Sequence, residues 1–385
     1  MRRTDIAIIG GGLAGSTTAA MLGRAGVATI LIDPHPVYPP DFRCEKLDSS
    51  QVAILTKTGL ADAILPATTH DHTVWIARFG RLIDRRPGDQ HGIMYDTLVN
   101  TMRAAIPTSV ETLYEKAVKI RTSDKQQIVT LSSGDEISAR LIVLANGLNI
   151  GLRHHIGIER TIVSPCHSIT LGFDLAPSGR EHFDFGALTY YPERAADRAA
   201  YLTLFPVRHA MRANLMVYRD MDDPWLRECR HDMRNALFAL MPKLHRLTGD
   251  VDVIGPVRIR PADLYVTQGH RQPGVVLVGD AFCTSCPAAG TGTTKVFTDV
   301  ERLCNVHIPA WLATNGMNAT KIAAFYDDPV KQACDQICAE KAYSLKSMSI
   351  DTGLAGHANR WLRFIVRRAI GALREARTPH AVTRH

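Results

Sequence analysis

No stretch of about 18 or more uncharged apolar residues occurs in the sequence, so nothing in it reads as a membrane-spanning helix. A cysteine framework is missing too. The eight cysteines are scattered, and the tight pair Cys283-x-x-Cys286 has no second pair or histidine partner at zinc-finger spacing. That excludes a disulfide scaffold and points to free thiols in a reducing cytosol, with a redox-active pair as the alternative for Cys283 and Cys286. There is also little excess charge. The net charge is +7, but Asn359 to His385 alone carries seven arginines and one glutamate, which leaves the body near neutral. A near-neutral body excludes nucleic-acid binding as the main business. Finally, the start is not expected to act as a secretory signal: after Met1-Arg2-Arg3-Thr4-Asp5 the apolar run Ile6-Ala7-Ile8-Ile9 is too short for an h-region and breaks at once into glycines. We read that run as a first β-strand and expect a cytoplasmic protein.

What remains is an ordinary globular composition over 385 residues, enough for one large or two modest domains. The first strand feeds Gly10-Gly11-Gly12-Leu13-Ala14-Gly15, a G-x-G-x-x-G. A helix is expected over 16–24, ending at Gly26, and then a second strand over 28–32 that runs into Asp33. In such a unit Gly10 makes the tight turn, Gly12 lets the backbone approach a pyrophosphate, and Gly15 allows close helix–strand packing. The helix N-terminus offers free N–H groups and a positive dipole end, and Leu13 and Ala14 within the glycine turn join the cofactor-binding set. Asp33 stands where an acid accepts hydrogen bonds from a ribose. The context of strand, turn, helix and acid separates this motif from a bare glycine-rich turn.

The motif alone says dinucleotide, not which one. A second apolar strand, Val275 to Val278, ends in Gly279-Asp280-Ala281, followed by Pro287-Ala288-Ala289-Gly290-Thr291-Gly292 and an expected helix through Val300. An acid at that strand tip can bind a ribityl hydroxyl, and the helix start can face phosphate or a flavin carbonyl. This Gly-Asp-Ala…Pro-x-x-Gly-x-Gly…Asp-Val run resembles the FAD-ribityl motif of class A flavoprotein monooxygenases, the para-hydroxybenzoate hydroxylase type. The resemblance implies FAD, with Asp280 on the ribityl chain and Pro287, Gly290 and Gly292 in the turn; Thr291 between them joins the cofactor-binding set. Asp41 to Leu47 resembles the family's arginine-bearing loop, so Arg43 is implied to contact FAD, as suits a guanidinium near phosphate. Arg140 to Arg153 resembles the family's middle Asp-Gly-x-x-Ser-x-x-Arg motif. There Asn146 replaces the aspartate and Ile150 the serine, while Gly147 and Arg153 fit. The family links that motif to NAD(P)H as well as FAD.

The expected fold is α/β: a Rossmann-like FAD-binding domain (1–155 and 270–320), an inserted mixed β-sheet substrate domain (156–269), and a C-terminal helical region (321–385). Strands are expected at 201–206, 213–218 and 251–266, with a helical stretch over 224–247. Near the expected flavin, Lys46 and Pro287 are the residues the sequence offers for a catalytic role; Glu45 and Lys46 equally suit a surface ion pair. His154 and His155 suit a solvated helix start, His91 and Tyr95 carry no signal, and Lys295 would face phosphate or water. In 359–377 apolar residues recur at Leu362, Ile365, Ala369 and Leu373 with arginines on another side. This is a helix that packs on the body or lies peripherally on the inner face of an anionic membrane.

The resemblance implies a monooxygenase. NADPH or NADH reduces FAD, O2 adds to give a flavin hydroperoxide, and one oxygen atom passes to an aromatic or unsaturated small molecule in a pocket over the flavin. The alternatives on the same scaffold are a halogenase or a double-bond reductase fed by a partner flavin reductase. No Trp-x-Trp-x-x-Ile-Pro signature supports the halogenase. A flavin-binding membrane-surface scaffold is the alternative outside redox catalysis.

Overall fold

The computed structural model describes residues 1–353, together with 358, 361, 362, 365, 366 and 368–370. The chain divides into two units. The first holds Met1–Thr68, Ile93–His167 and Ala262–Ala342; the second holds Thr69–Gly92, Ser168–Pro261 and the chain from Tyr343 onward.

The first unit is built on a twisted sheet. Strand β1 (Arg2–Ile9) runs into helix α1 (Leu13–Arg24), and the chain returns as β2 (Thr29–Ile32) parallel to β1, with Ile6 opposite Thr29 and Ile9 opposite Ile32. Helices α2 (Ser49–Lys57) and α3 (Tyr95–Ala104) follow, and then β3 (Glu111–Leu113), β4 (Ala117–Arg121), β5 (Gln127–Leu131) and β6 (Glu136–Leu144). Much later come β7 (Val275–Leu277), α4 (Gly292–Arg302) and α5 (Pro329–Ile350). The sheet order is β3-β2-β1-β6-β5-β4, and β7 joins the free stretch of β6 at Ile142–Leu144. The strands β3, β2, β1, β6 and β7 are parallel, and Ile6, Ile8, Leu31, Leu141, Val143 and Val276 are wholly or almost wholly buried on one face against α1, α3 and α4. Continuous apolar runs suit strands buried on both faces, which is why the sequence marks them without alternation.

Helix α1 begins three residues before the expected start, directly after Gly12. The glycines do not delay it, because Gly12 itself serves as the N-cap with extended backbone (φ −74°, ψ −167°).

The second unit contains strands Thr73–Arg78, Arg81–Pro87, Ala187–Tyr191, Ala199–Val207 and Ala210–Val217 in one mixed sheet, with parts of the long strands Glu159–Pro177 and Val251–Gln268. Its pairs are antiparallel except Thr73–Arg78 with Ala187–Tyr191, which is parallel. The sequence does not assign 69–92 to this sheet, because its partner strand lies more than a hundred residues away. The expected helix over 224–247 is three pieces, Pro224–His231, Met233–Leu240 and His245–Thr248. The first break has a plain cause: Asp232 leaves helical geometry and its carboxylate caps the next helix at Asn235 N. Residues 321–342, expected in a separate C-terminal region, belong with the first unit, where Phe325, Tyr326 and Lys331 are buried.

Among the described residues no helix is long and apolar enough to cross a membrane. The amphipathic tail expected over 359–377 lies largely outside the described residues. Of those described, Trp361, Leu362, Ile365, Val366 and Ile370 are exposed, and Trp361 stacks on Phe79.

Candidate flavin site

The carboxyl ends of β1, β6 and β7 lie side by side and carry two turns. At the first, Gly10 takes φ +103°, and a side chain there would place Cβ 2.6 Å from the Ala145 carbonyl oxygen. At Gly15 an added Cβ would lie 1.8 Å from the Gly10 carbonyl oxygen. Both positions are closed by the protein's own backbone. Gly12 differs: the nearest atom to an added Cβ is Tyr38 Cε2 at 3.9 Å, so the space above it is open. No side chain caps α1, leaving the N–H groups of its first turn, from Leu13 and Ala14, to an outside acceptor. An anion fits there on charge and on space.

Asp33 closes β2 and is buried. Its Oδ2 accepts the Gly11 N–H at 2.7 Å, and its Oδ1 accepts the His35 N–H at 2.9 Å and pairs with Arg103 Nη2 at 3.0 Å. A carboxylate has about four acceptor sites, so one remains for a hydroxyl. Arg103, from α3, also donates to the Gly11 carbonyl at 2.8 Å. The sequence offers no signal for Arg103, since one arginine in an amphipathic helix resembles any other.

The second turn starts where β7 ends. Arg43 donates through Nη1 to Asp280 Oδ2 at 2.8 Å and through Nε to Asp41 Oδ2 at 2.6 Å, with its guanidinium over the Tyr95 ring. Burial disfavours the Arg43 charge, but the Asp280 and Asp41 carboxylates more than compensate, and its pKa is raised. Burial also holds the Tyr95 phenol far above its ordinary range, so it stays protonated. The two turns abut, since an added Cβ on Gly279 would meet Ala14 Cβ at 3.4 Å.

The Gly279–Phe282 backbone is held from four directions. Asp299 accepts the Gly279 N–H at 2.9 Å; Tyr265 donates to the Asp280 carbonyl, Arg153 to the Ala281 carbonyl and Thr267 to the Phe282 carbonyl. Arg153, fully buried, also donates to the Asn149 carbonyl at 2.8 Å, which ties the middle motif to this turn. Asn146 spends its amide on the Asn149 carbonyl at 3.1 Å, and its buried Oδ1 has no partner.

Pro287 opens a short 3-10 turn, Gly290 follows with φ +66°, and Thr291 caps α4 without a side-chain hydrogen bond. Gln51, reciprocally bonded in the capping box of Asp48 on α2, donates to the Gly290 carbonyl at 2.9 Å. A Cβ on Gly290 would meet nothing within 4 Å, and the buried hydroxyls of Thr291 and Ser285 lack partners. Open space, unsatisfied polar groups and an uncapped helix start again fit a polar ligand. Lys46 is half-buried in the strand pair Lys46–Leu47, and its carbonyl accepts from the Cys44 thiol at 2.9 Å. Glu45 is buried, so the surface ion pair expected for it with Lys46 is not what the fold provides. His154 and His155 are exposed, as a solvated helix start requires.

Lys295 is the clearest correction. It faces neither phosphate nor water: with Asp299, Lys331 and Asp335 it forms a closed ring of four charges, each lysine contacting both aspartates at 2.8–3.0 Å. Burial opposes every charge here, yet Asp299 is held below the ordinary carboxylate range and Lys295 well above the ordinary amine range by their partners. Lysines and aspartates four apart read in a sequence as a solvated helix face. Only the packing of α4 on α5 shows otherwise.

These two turns, at the tips of the strands on either side of β6, are the layout of an FAD-binding flavoprotein. The FAD binding domain family model matches residues 3–306. The chain belongs to that family, in its class A flavoprotein monooxygenase branch, and is an FAD-dependent oxidoreductase. It is 26% identical to the 3-demethoxyubiquinol 3-hydroxylase of Escherichia coli, over 80% of each chain. It is 24% identical to the 6-hydroxynicotinate 3-monooxygenase of Bordetella bronchiseptica, over 93% of this chain and 92% of that one. Among solved structures, a p-nitrophenol 4-monooxygenase of Pseudomonas putida shares the fold with a TM-score of 0.76, at 18% identity over 97% of this chain and 98% of that one.

Proposed function

We propose that this protein is a monooxygenase that places one oxygen atom from O2 on an aromatic or otherwise unsaturated small molecule, with NADPH or NADH as electron donor. The observation that carries the site is the ion pair between Arg43 and Asp280, 237 positions apart in sequence and beside the open glycine turn. In this arrangement the Leu13 and Ala14 N–H groups beside Gly12 would hold the pyrophosphate, with Gly10 and Gly15 shaping the turn. Asp33 would receive the adenosine ribose, Asp280 the ribityl chain, and Arg43 a phosphate or the flavin edge. Pro287, Gly290, Thr291 and Gly292 would border the ring system, and the α4 N-terminus would stabilise negative charge there. When bound, FAD supplies the redox and oxygen chemistry. The chain's own part is to orient ring and substrate and to keep water out. The relatives are named for a demethoxyubiquinol and for 6-hydroxynicotinate, which favours a ring-bearing substrate here.

Stopped-flow flavin reduction with NADH and NADPH, with and without a panel of hydroxylated aromatics, tests this. Reduction accelerated by one panel member, with matching O2 uptake, is the expected result. Asn146 at the middle motif favours a second route, reduction by a partner flavin reductase. In that case NAD(P)H alone bleaches the flavin slowly and the reductase restores the rate. No O2 uptake by either route across the panel sinks the proposal.

A further inference from the structure

Beside the Gly290–Thr291 turn, α2, the start of α4 and α5 line an open pocket of about 520 Å3. Two of its lining residues, Cys334 and Cys338, are successive on α5 at i,i+4, and their sulfurs lie 4.0 Å apart. Cys334 is partly exposed to the pocket, whereas Cys338 is buried with its sulfur 3.9 Å from the Thr291 carbonyl oxygen. The pair carries no motif signal in a bare sequence. It becomes a pair only when 329–350 is a helix.

We propose that Cys334 and Cys338 form a peroxide-reactive dithiol site that closes to a reversible disulfide. The roles of the two sulfurs differ. The contact between the two sulfurs lowers the Cys334 pKa to about 7 despite burial, and the same contact together with burial raises that of Cys338. The nucleophile is therefore the sulfur that the pocket reaches, and the resolving thiol is the buried one. Thr298 and the Lys295 ammonium lie near enough to favour the Cys334 thiolate, while Asp299 opposes it.

The step balances with hydrogen peroxide as oxidant. The Cys334 thiolate attacks one peroxide oxygen, the O–O bond breaks, and hydroxide leaves, giving a sulfenic acid. The Cys338 sulfur then attacks the sulfenyl sulfur, the S–O bond breaks, and water leaves with the thiol proton. Two thiols are oxidised and one peroxide is reduced to two waters. On a helix, Cβ atoms four apart sit about 5–6 Å from each other, whereas a relaxed disulfide holds them near 3.8 Å. Closure therefore draws in one helical turn, and the strained bond reopens readily to a thiol reductant.

The sequence gives a clean assay. Trypsin cuts after Lys331 and Lys341 and releases 332–341 with both cysteines and no other. After brief treatment of the FAD-loaded protein with hydrogen peroxide and blocking of free thiols, this peptide is expected about 2 Da lighter and unalkylated. Dithiothreitol applied before blocking restores two alkylated thiols. In Cys338→Ser the bond cannot close, and a dimedone adduct is expected on Cys334. Cys334→Ser should protect Cys338. Two alkylated cysteines in 332–341 after peroxide has oxidised other thiols would overturn the proposal, as would oxidation of Cys338 in Cys334→Ser at the wild-type rate.

Discussion

The two turns at the flavin site are built by opposite means. The Gly10–Gly15 turn is shaped by its own backbone, with positive φ at Gly10 and a carbonyl that leaves Gly15 no room for a side chain; side chains, Asp33 from the next strand and Arg103 from α3, reach it only at Gly11. The Gly279–Phe282 turn is held by side chains arriving from Arg153, Tyr265, Thr267 and Asp299, and through Asp299 by a buried ring of four charges. A turn made by sterics needs only a few adjacent residues, so it forms a motif. A turn made by remote side chains depends on the rest of the unit.

The contrast can be broken most sharply within the glycine motif. Gly15→Ala should cost more than about 4 kcal/mol, beyond the ~1–3 kcal/mol usual for overpacking, because backbone rather than a flexible side chain meets the new carbon. Gly12→Ala should change apoprotein stability by less than about 1 kcal/mol while FAD is lost, since its Cβ meets only open space. Chemical denaturation and the flavin-to-protein absorbance ratio separate the two. Equal stability losses would mean that Gly12 is structural.

At the second turn, Lys331→Met should cost about 3 kcal/mol by leaving Asp299 and Asp335 one partner short, and should loosen FAD without touching its site. Unchanged denaturation would show that the ring is not what supports the turn. Asp328, at the N-terminus of α5, provides a pH readout of the same scaffold. Burial pushes its carboxyl up, but Arg302, the Lys331 N–H and His307 outweigh this and bring its pKa down to about 2. A depressed carboxylate stabilises above its unfolded value near 3.9. Wild type should therefore lose about 2 kcal/mol as pH falls from about 4 to 2, and Asp328→Asn should lack that slope in pH-dependent denaturation. The smallest effect is expected from Asp280→Asn: about tenfold weaker FAD binding by fluorescence titration, with near-normal stability, because one charge-assisted bond is lost at a half-exposed position.

The same difference explains what a sequence can disclose. β1, the glycine turn, α1, β2 and Asp33 are contiguous, and each signal is local. Arg43 and Asp280 are far apart but each sits in a short recognisable block, so a family resemblance suffices to suggest their meeting. Arg103 and Tyr265 sit in no such block. Lys295 is misleading rather than silent, since a lysine after a glycine turn suggests phosphate. The strand Thr73–Arg78 is joined to Arg81–Pro87 by a tight turn at Phe79-Gly80, a local signal; what a sequence hides is its other neighbour, Ala187–Tyr191, which is parallel and distant.

The place of β7 has a consequence for how the protein is made. Its three residues complete the β6 edge beside the glycine turn, yet they follow residue 274 in the chain, after both long excursions into the second unit. During synthesis this edge of Ile142–Leu144 therefore waits, unpaired, until Val275–Leu277 has been made. Such high contact order slows folding and lengthens the interval in which aggregation competes. FAD can engage both turns only after that wait is over.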